Sequence, residues 1–174
     1  LEHCVAMSGS KSVKTNNLLH DLQKFAYCTS INAFTTPCYT SYPVSSYDED
    51  ELNTLADFYV DAVFNSNFFE DERLFKREGI RFEMDEQQKL KPNGRAFNEI
   101  NRPSTFNQKK ELEVLYPDTK IHFIAGGHPI NMMDLTIQDL YDTYKKYYHP
   151  SNSLFILSGD MNYEKTLEWL NEKY

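Results

Sequence analysis

Glu2 and His3 place a carboxylate and an imidazole side by side at the start of the chain. One can take a proton from water and the other can bind a divalent metal. With Leu1 they read L-E-H, the closing part of the pattern H-x-x-E-H. On a helix, histidines four apart lie on one face and can share a zinc ion, while the Glu beside the second reaches the metal-bound water as general base. The first histidine of that pattern would stand two positions before Leu1. A Glu-His pair alone carries little weight, because such dipeptides recur by chance. Cys4, next to His3, would lie near a metal bound there and be open to thiol reagents, or else be a buried, inert thiol. His20, His122 and His128 have no metal-ligand spacing and read as surface or hydrogen-bonded histidines.

The elements that must hold these groups are legible from periodicity. Leu18, Leu19, Leu22 and Phe25 fall at helical spacing after Thr15 and Asn16, with Asn16 as cap. Cys28 to Ser46, rich in Thr, Ile, Phe, Tyr and Val and punctuated by Pro37 and Pro43, predicts two short strands joined by a turn. Pro43 belongs at an edge or a strand end. Asp48 with Glu51 opens a capping-box-like helix whose apolar face is Leu52, Leu55, Tyr59, Ala62 and Val63. A second helix is expected from about Glu70 to Arg77, closed by Gly79, before a strand in which Ile80, Phe82 and Met84 alternate. Asp85 to Gly94 reads as an exposed loop, and Arg95 to Ile100 has no decided pattern. Ser104 is placed to cap a helix carrying Leu112 and Leu115 that Pro117 stops, and Gly126, Gly127 and Pro129 force a turn. Thr136 with Asp139 starts a helix through Leu140 and Tyr144 to Tyr148, ended by Pro150. Leu154 to Leu157 reads as a buried strand ending at Gly159, and a last helix carries Leu167, Trp169 and Leu170. Mixed helices and strands with two adjacent strands early favour α+β over a doubly wound parallel sheet.

Composition narrows the class. A length of 174 residues with 40% hydrophobic and 14% aromatic content suits one domain with a sizeable core. Eighteen basic against 26 acidic residues give a net charge of -8, with no Lys/Arg run to follow a phosphate backbone, so nucleic acid is not an expected partner. No apolar stretch approaches the ~20 residues needed to span a bilayer, so membrane insertion is not expected. Three cysteines without CxxC spacing argue against a disulfide scaffold or a cysteine-built zinc site, and a reducing compartment is the simplest reading. Leu1 begins inside a pattern, with no initiating Met or leader, so the chain reads as the interior of a longer polypeptide.

Further short motifs follow in order: I-N-A-F-T at Ile31 to Thr35, Y-P-V at Tyr42 to Val44, F-N-E at Phe97 to Glu99 and L-Y-P-D at Leu115 to Asp118. G-G-H-P at Gly126 to Pro129 and Y-Y-H-P-S-N at Tyr147 to Asn152 complete the set. With L-E-H-C they resemble the presequence-protease and falcilysin branch of the pitrilysin and insulinase family of zinc metallopeptidases, over nearly the whole chain. The resemblance implies part of a metallopeptidase half-domain with a mainly antiparallel sheet packed against helices. Residues 1–174 would be a single incomplete N-terminal catalytic domain of a larger peptidase. It implies Glu2 as general base, His3 as the second zinc-binding histidine and Glu99 as the third protein ligand, 96 residues beyond His3. One Zn2+ would belong to each complete domain, and His3 with Glu99 alone should hold it weakly or not at all.

The resemblance also makes Asn32, Ala33, Phe34 and Thr35 part of an edge strand that pairs with substrate backbone, which would let many peptides be cut. As an ordinary strand, the same segment puts Phe34 in the core. Glu78 and Glu83 could orient a metal ligand from behind, or be solvated carboxylates at a helix end and a strand end. His149 resembles a structural corner, with a packing or hydrogen-bonding role. Two positions depart from the family pattern: His128 stands where an acidic residue is more usual, and Asn101 and Arg102 replace a Lys-Gly pair.

The function these features imply is a zinc metalloendopeptidase hydrolysing short unfolded peptides such as cleaved targeting sequences. Its partners would be those peptides and the remaining domains of the same polypeptide, and relatives work in mitochondria, plastids and digestive vacuoles. The alternative is a non-catalytic peptidase-like scaffold or peptide-binding subunit. The residue two positions before Leu1 separates the two.

Overall fold

Cys4, Val5, Ala6 and Met7 are buried in succession, so the helix that carries them, Glu2–Met7 (α1), has to be enclosed on several sides. The computed structural model describes residues 1–25 and 30–174, apart from the side chains of Phe25, Ser104 and Phe106. Around α1 pack Leu18–Phe25 (α2), Glu49–Phe64 (α3) and Glu72–Glu78 (α4). Leu18, Leu19 and Leu22 of α2 are buried, as their spacing requires. Asn16 is not the residue before this helix. Thr15 braces its start instead, its hydroxyl accepting from the Asn17 N–H and donating to Asp21. Gly9 is obligatory between α1 and α2, because a Cβ there would lie 1.9 Å from the Val13 carbonyl oxygen.

One predicted hairpin becomes four two-residue strands. Ser30–Ile31 (β1) pairs antiparallel with Val44–Ser45 (β4), and Phe34–Thr35 (β2) pairs with Thr40–Ser41 (β3). The ladder breaks at Asn32, Ala33, Tyr42 and Pro43 because proline has no N–H to give, and one bond, Asn32 N–H to the Pro43 carbonyl at 3.2 Å, bridges the gap. Cys28 lies outside the described residues. In α3 the Asp48 carboxylate accepts from the Glu51 N–H at 2.8 Å, and the return half of the cap runs through Ser46, which accepts from the Asp48 N–H and donates to Glu51. Leu55, Tyr59 and Ala62 carry the face of α3 into the core. Phe68, fully buried, meets Phe69 and Tyr144 edge-on with ring centroids 5.8 and 5.5 Å away.

The helix expected from Glu70 starts later, at Glu72, because Asp71 takes the cap position and accepts from the Arg73 N–H after a 3-10 turn at Phe68–Glu70. Beyond Gly79, Arg81–Met84 (β5) is a strand. The expected loop is corrected: Leu90–Asn93 (β6) returns antiparallel to it, and only the tip is a turn. Pro92 concealed that strand, yet an edge position tolerates it. Gly94, at φ +153°, lets the chain pass the Gly79 carbonyl, where a Cβ would stand 2.1 Å away, and Arg95–Ile100 (α5) follows.

Pro103–Leu115 (α6) is capped by Arg102 with Pro103 in its first turn, so Ser104 falls inside the helix and not at its cap. Ile137–Tyr147 (α7) has a complete capping box between Thr136 and Asp139. Hydrogen bonds from the Thr136 hydroxyl, then its N–H, hold the Asp139 carboxyl below its ordinary value. A depressed carboxylate stabilises above its unfolded pKa, and that stabilisation is lost as pH falls through the folded value. Asp139→Asn should therefore flatten part of the acid limb of the stability profile, followed by denaturant midpoints from pH 6 to 3.

Leu154–Leu157 is not a buried strand. It is irregular, with Leu154 and Ile156 84% and 81% exposed, because no described strand lies beside it; Phe155 packs against Phe64 and Leu157 is half-buried. Tyr163–Lys173 (α8) closes the described fold, with the Trp169 indole N–H and the Lys173 ammonium both donating to Asp57 of α3. The result is α+β, with helices predominating and every described strand pair antiparallel. Among the described residues no helix is long and apolar enough to cross a membrane.

Candidate functional site

Three helices bring Glu2, His3, Glu78 and Glu99 together. Glu2 and His3 are the first two residues of α1, Glu78 the last of α4, and Glu99 sits in α5, aimed by the Gly79 and Gly94 crossing. The His3 Nε2 lies 3.1 Å from Glu99 Oε2, and its Nδ1 lies 3.5 Å from Glu78 Oε2. The ring therefore faces a carboxylate on each side, Glu99 within hydrogen-bond distance and Glu78 just beyond it. Contact with Glu78 raises the His3 pKa; burial opposes this, and the charges of Glu99, Glu2 and Glu78 add to the rise.

Glu78 is the residue whose environment the sequence least foretold. It is 1% exposed, not solvated, with Arg77 Nε 2.7 Å from Oε1 and Arg95 Nε 3.7 Å from Oε2. Burial pushes its carboxyl up, but the contacts from His3 and Arg77 and the charge of Arg95 bring it below the ordinary value. Oε2 makes no contact short enough for a full hydrogen bond, so it answers to His3 by charge across 3.5 Å. Glu83, its fellow candidate, is engaged elsewhere: it pairs with Arg81 and accepts from Asn93 on the β5–β6 hairpin.

The Glu2 carboxylate accepts from the Thr35 hydroxyl, which itself lies 3.1 Å from the Thr40 hydroxyl, so the β2–β3 hairpin fixes its position. Glu2, His3, Asn32, Ala33 and Glu99 share a cleft of about 410 Å³ with His20 and Arg95. Asn32 and Ala33 lie in the gap between β1 and β2, and their N–H groups are already used, toward Pro43 and the Asn32 side chain, while the Asn32 carbonyl accepts from Tyr59. Phe34 is not in the core: it is 44% exposed and packs edge-on against Tyr39. Among the described residues β2 is paired on one side only, toward β3.

Whether these residues suit a zinc ion is decided by donor separation and count. Two donors on one tetrahedral zinc stand roughly 3.3 Å apart, given bonds of ~2.0–2.1 Å. The 3.1 Å between His3 Nε2 and Glu99 Oε2 is close to that, and Glu78 behind Nδ1 is the carboxylate that zinc-binding histidines commonly have. Two donors thus fit, while among the described residues no three such groups cluster as a metal cage.

Sequence reasoning missed Thr35 as the partner of Glu2, and Arg95 and His20 as walls of the cleft. Cys4 is 2% exposed, and burial pushes its thiol up to about 11, which favours the inert reading. Brief alkylation at neutral pH with peptide mapping should modify the exposed Cys38 and spare Cys4 until the protein is unfolded. His149 is a hydrogen-bonding corner, its Nδ1 2.8 Å from the Ser151 hydroxyl. His128 accepts from the Ile130 N–H in its turn.

Residues 134–174 match the family model described as "Peptidase M16 inactive domain". The chain is 36% identical over 179 residues to Protein HypA of Clostridium perfringens, covering 100% of this chain and 18% of that protein. It is 33% identical over 184 residues to the mitochondrial presequence protease of Drosophila melanogaster, covering 100% of this chain and 17% of the relative. With presequence protease 1, chloroplastic/mitochondrial, of Arabidopsis thaliana it shares 31% identity over 177 residues, covering 99% of this chain and 16% of the relative. The chain thus spans less than a fifth of the length of these relatives. With the ordered motifs agreeing with presequence-protease matches that cover all or nearly all of this chain, the chain belongs to the M16 peptidases, the pitrilysin and insulinase family.

Proposed function

We propose that this chain is an incomplete N-terminal catalytic domain of a longer zinc metalloendopeptidase that hydrolyses short unfolded peptides. The carrying observation is His3 Nε2 set 3.1 Å from Glu99 with Glu2 in the same cleft, three donors and acceptors brought from opposite ends of 96 residues. His3 and Glu99 would hold the ion, with a further donor from outside this chain, and zinc when bound would polarise the peptide carbonyl and acidify water. The Glu2 carboxylate would act as general base, taking a proton from the attacking water and passing it to the leaving amine. Thr35 keeps the Glu2 carboxylate turned into the cleft, and Glu78 keeps the His3 ring oriented. On the edge of β2 away from β3 it is the N–H and C=O of Thr35 that face outward to an extended peptide, those of Phe34 being turned toward β3, with Asn32 and Ala33 as walls rather than as donors.

The relatives' names supply the substrate class, presequences, and two compartments, mitochondrion and plastid. We assign the same substrate class and those compartments here. The other domains of the polypeptide are the expected partners.

The test is zinc content and chelator-sensitive cleavage of a quenched, unstructured peptide by the full-length polypeptide. One zinc per catalytic site with chelator-sensitive cleavage is the expected result. No zinc and no cleavage would overturn the peptidase reading in favour of a peptide-binding scaffold.

A further inference from the structure

We propose that Arg95, supported by His20, forms a subsite in this cleft for a carboxylate group of a bound peptide. This rests on the cleft being a peptide-binding site, and it adds a selectivity.

Glu78 faces two guanidinium groups, Arg77 and Arg95. Arg77 takes Glu78 Oε1 at 2.7 Å, whereas Arg95 reaches Oε2 only at 3.7 Å, beyond hydrogen-bond range, and shares that oxygen with His3. Among the described residues Arg95 therefore has no carboxylate within hydrogen-bond range, while Glu2 and Glu99 line the same cleft. The outer nitrogens of Arg95 meet weak acceptors. Nη1 is 3.4 Å from the Met7 sulfur, and Nη2 is 3.3 Å from His20 Nε2. His20 Nδ1 in turn lies 3.3 Å from Gln23 Oε1, which can only accept, so the Nδ1 carries the ring proton and Nε2 offers its lone pair to Arg95. His20 is therefore a prop for the guanidinium.

A guanidinium has five N–H donors in a fixed fork matched to a carboxylate. Here the Arg95 side chain is 39% exposed and lines the same cleft as Glu2, His3 and Glu99. A carboxylate arriving there exchanges a thioether and an imidazole for a charge-assisted pair. Two sources have that chemistry, an Asp or Glu side chain and the peptide's terminal carboxylate.

The experiment measures binding of fluorescent peptides to the full-length polypeptide by anisotropy at low salt. It compares Asp/Glu peptides with their Asn/Gln counterparts, and free with amidated C-termini. Preference for the carboxylate form is expected to be about tenfold in one of these pairs, which identifies the source. Arg95→Gln should bring that ratio toward one, and Arg95→Lys should retain part of it. A ratio near one in the unsubstituted protein, or a ratio unchanged by Arg95→Gln, overturns the proposal. The readout is binding, so a polypeptide that shows the ratio but cleaves nothing loses the peptidase reading and keeps the subsite. One that cleaves without the ratio does the reverse.

Discussion

Glu2→Gln in the full-length polypeptide is expected to leave zinc bound and to lower kcat by about 10²- to 10⁴-fold, the usual contribution of a positioned general base. Gln has nearly the same shape as Glu, so its amide oxygen can still accept from the Thr35 hydroxyl that anchors Glu2 to the hairpin. His3 and Glu99, which would hold the metal, are not altered. What is lost is a group able to take a proton from water. The comparison requires metal analysis and steady-state kinetics on the same preparation. Undiminished turnover would remove Glu2 from its role, and loss of zinc together with activity would make it a ligand or a structural support instead.

Phe68→Ala should have the largest effect on stability, a loss of about 3–5 kcal/mol. The ring is fully buried and holds Phe69 and Tyr144 edge-on, so truncation removes apolar burial, leaves a cavity and deletes two aromatic contacts. Tyr144 then loses its brace, although its hydroxyl ties α7 to α3 by donating to the Val63 carbonyl and accepting from the Ser66 N–H. Denaturant melts by circular dichroism read the loss directly. A change below about 1 kcal/mol would mean that the site collapses around the missing ring. Phe68→Leu, which keeps more of the volume, should cost less.

How far the sequence foretold this structure can be judged residue by residue. Helix α3 was legible because Asp48 sits at its cap and Leu55, Tyr59 and Ala62 recur at helical spacing, signals that need no distant partner. The β6 strand was hidden because Leu90, Lys91, Pro92 and Asn93 look like a loop until Arg81–Met84 lies alongside. Leu154 to Leu157 failed the other way: local residues promised a strand, but a strand requires a neighbour, and no described one is there. At the candidate site Glu2, His3 and Glu99 stand out only through motif resemblance, and the fold places the three in one cleft. Glu78 was named, but its burial follows from the way α1, α4 and α5 pack. Thr35, His20 and Arg95 acquire their roles from that same packing, which no spacing along the chain encodes.

The single tryptophan has a spectroscopic consequence. Trp169 donates to Asp57 and meets Tyr174 edge-on, far in sequence from Glu2 and His3, so its emission reports whether α8 is docked on α3. Fluorescence quenching and circular dichroism therefore watch different parts of the molecule. If the emission maximum shifts red at a lower denaturant concentration than the helical signal falls, the last helix detaches before the Phe68 core gives way, and the unfolding has two steps.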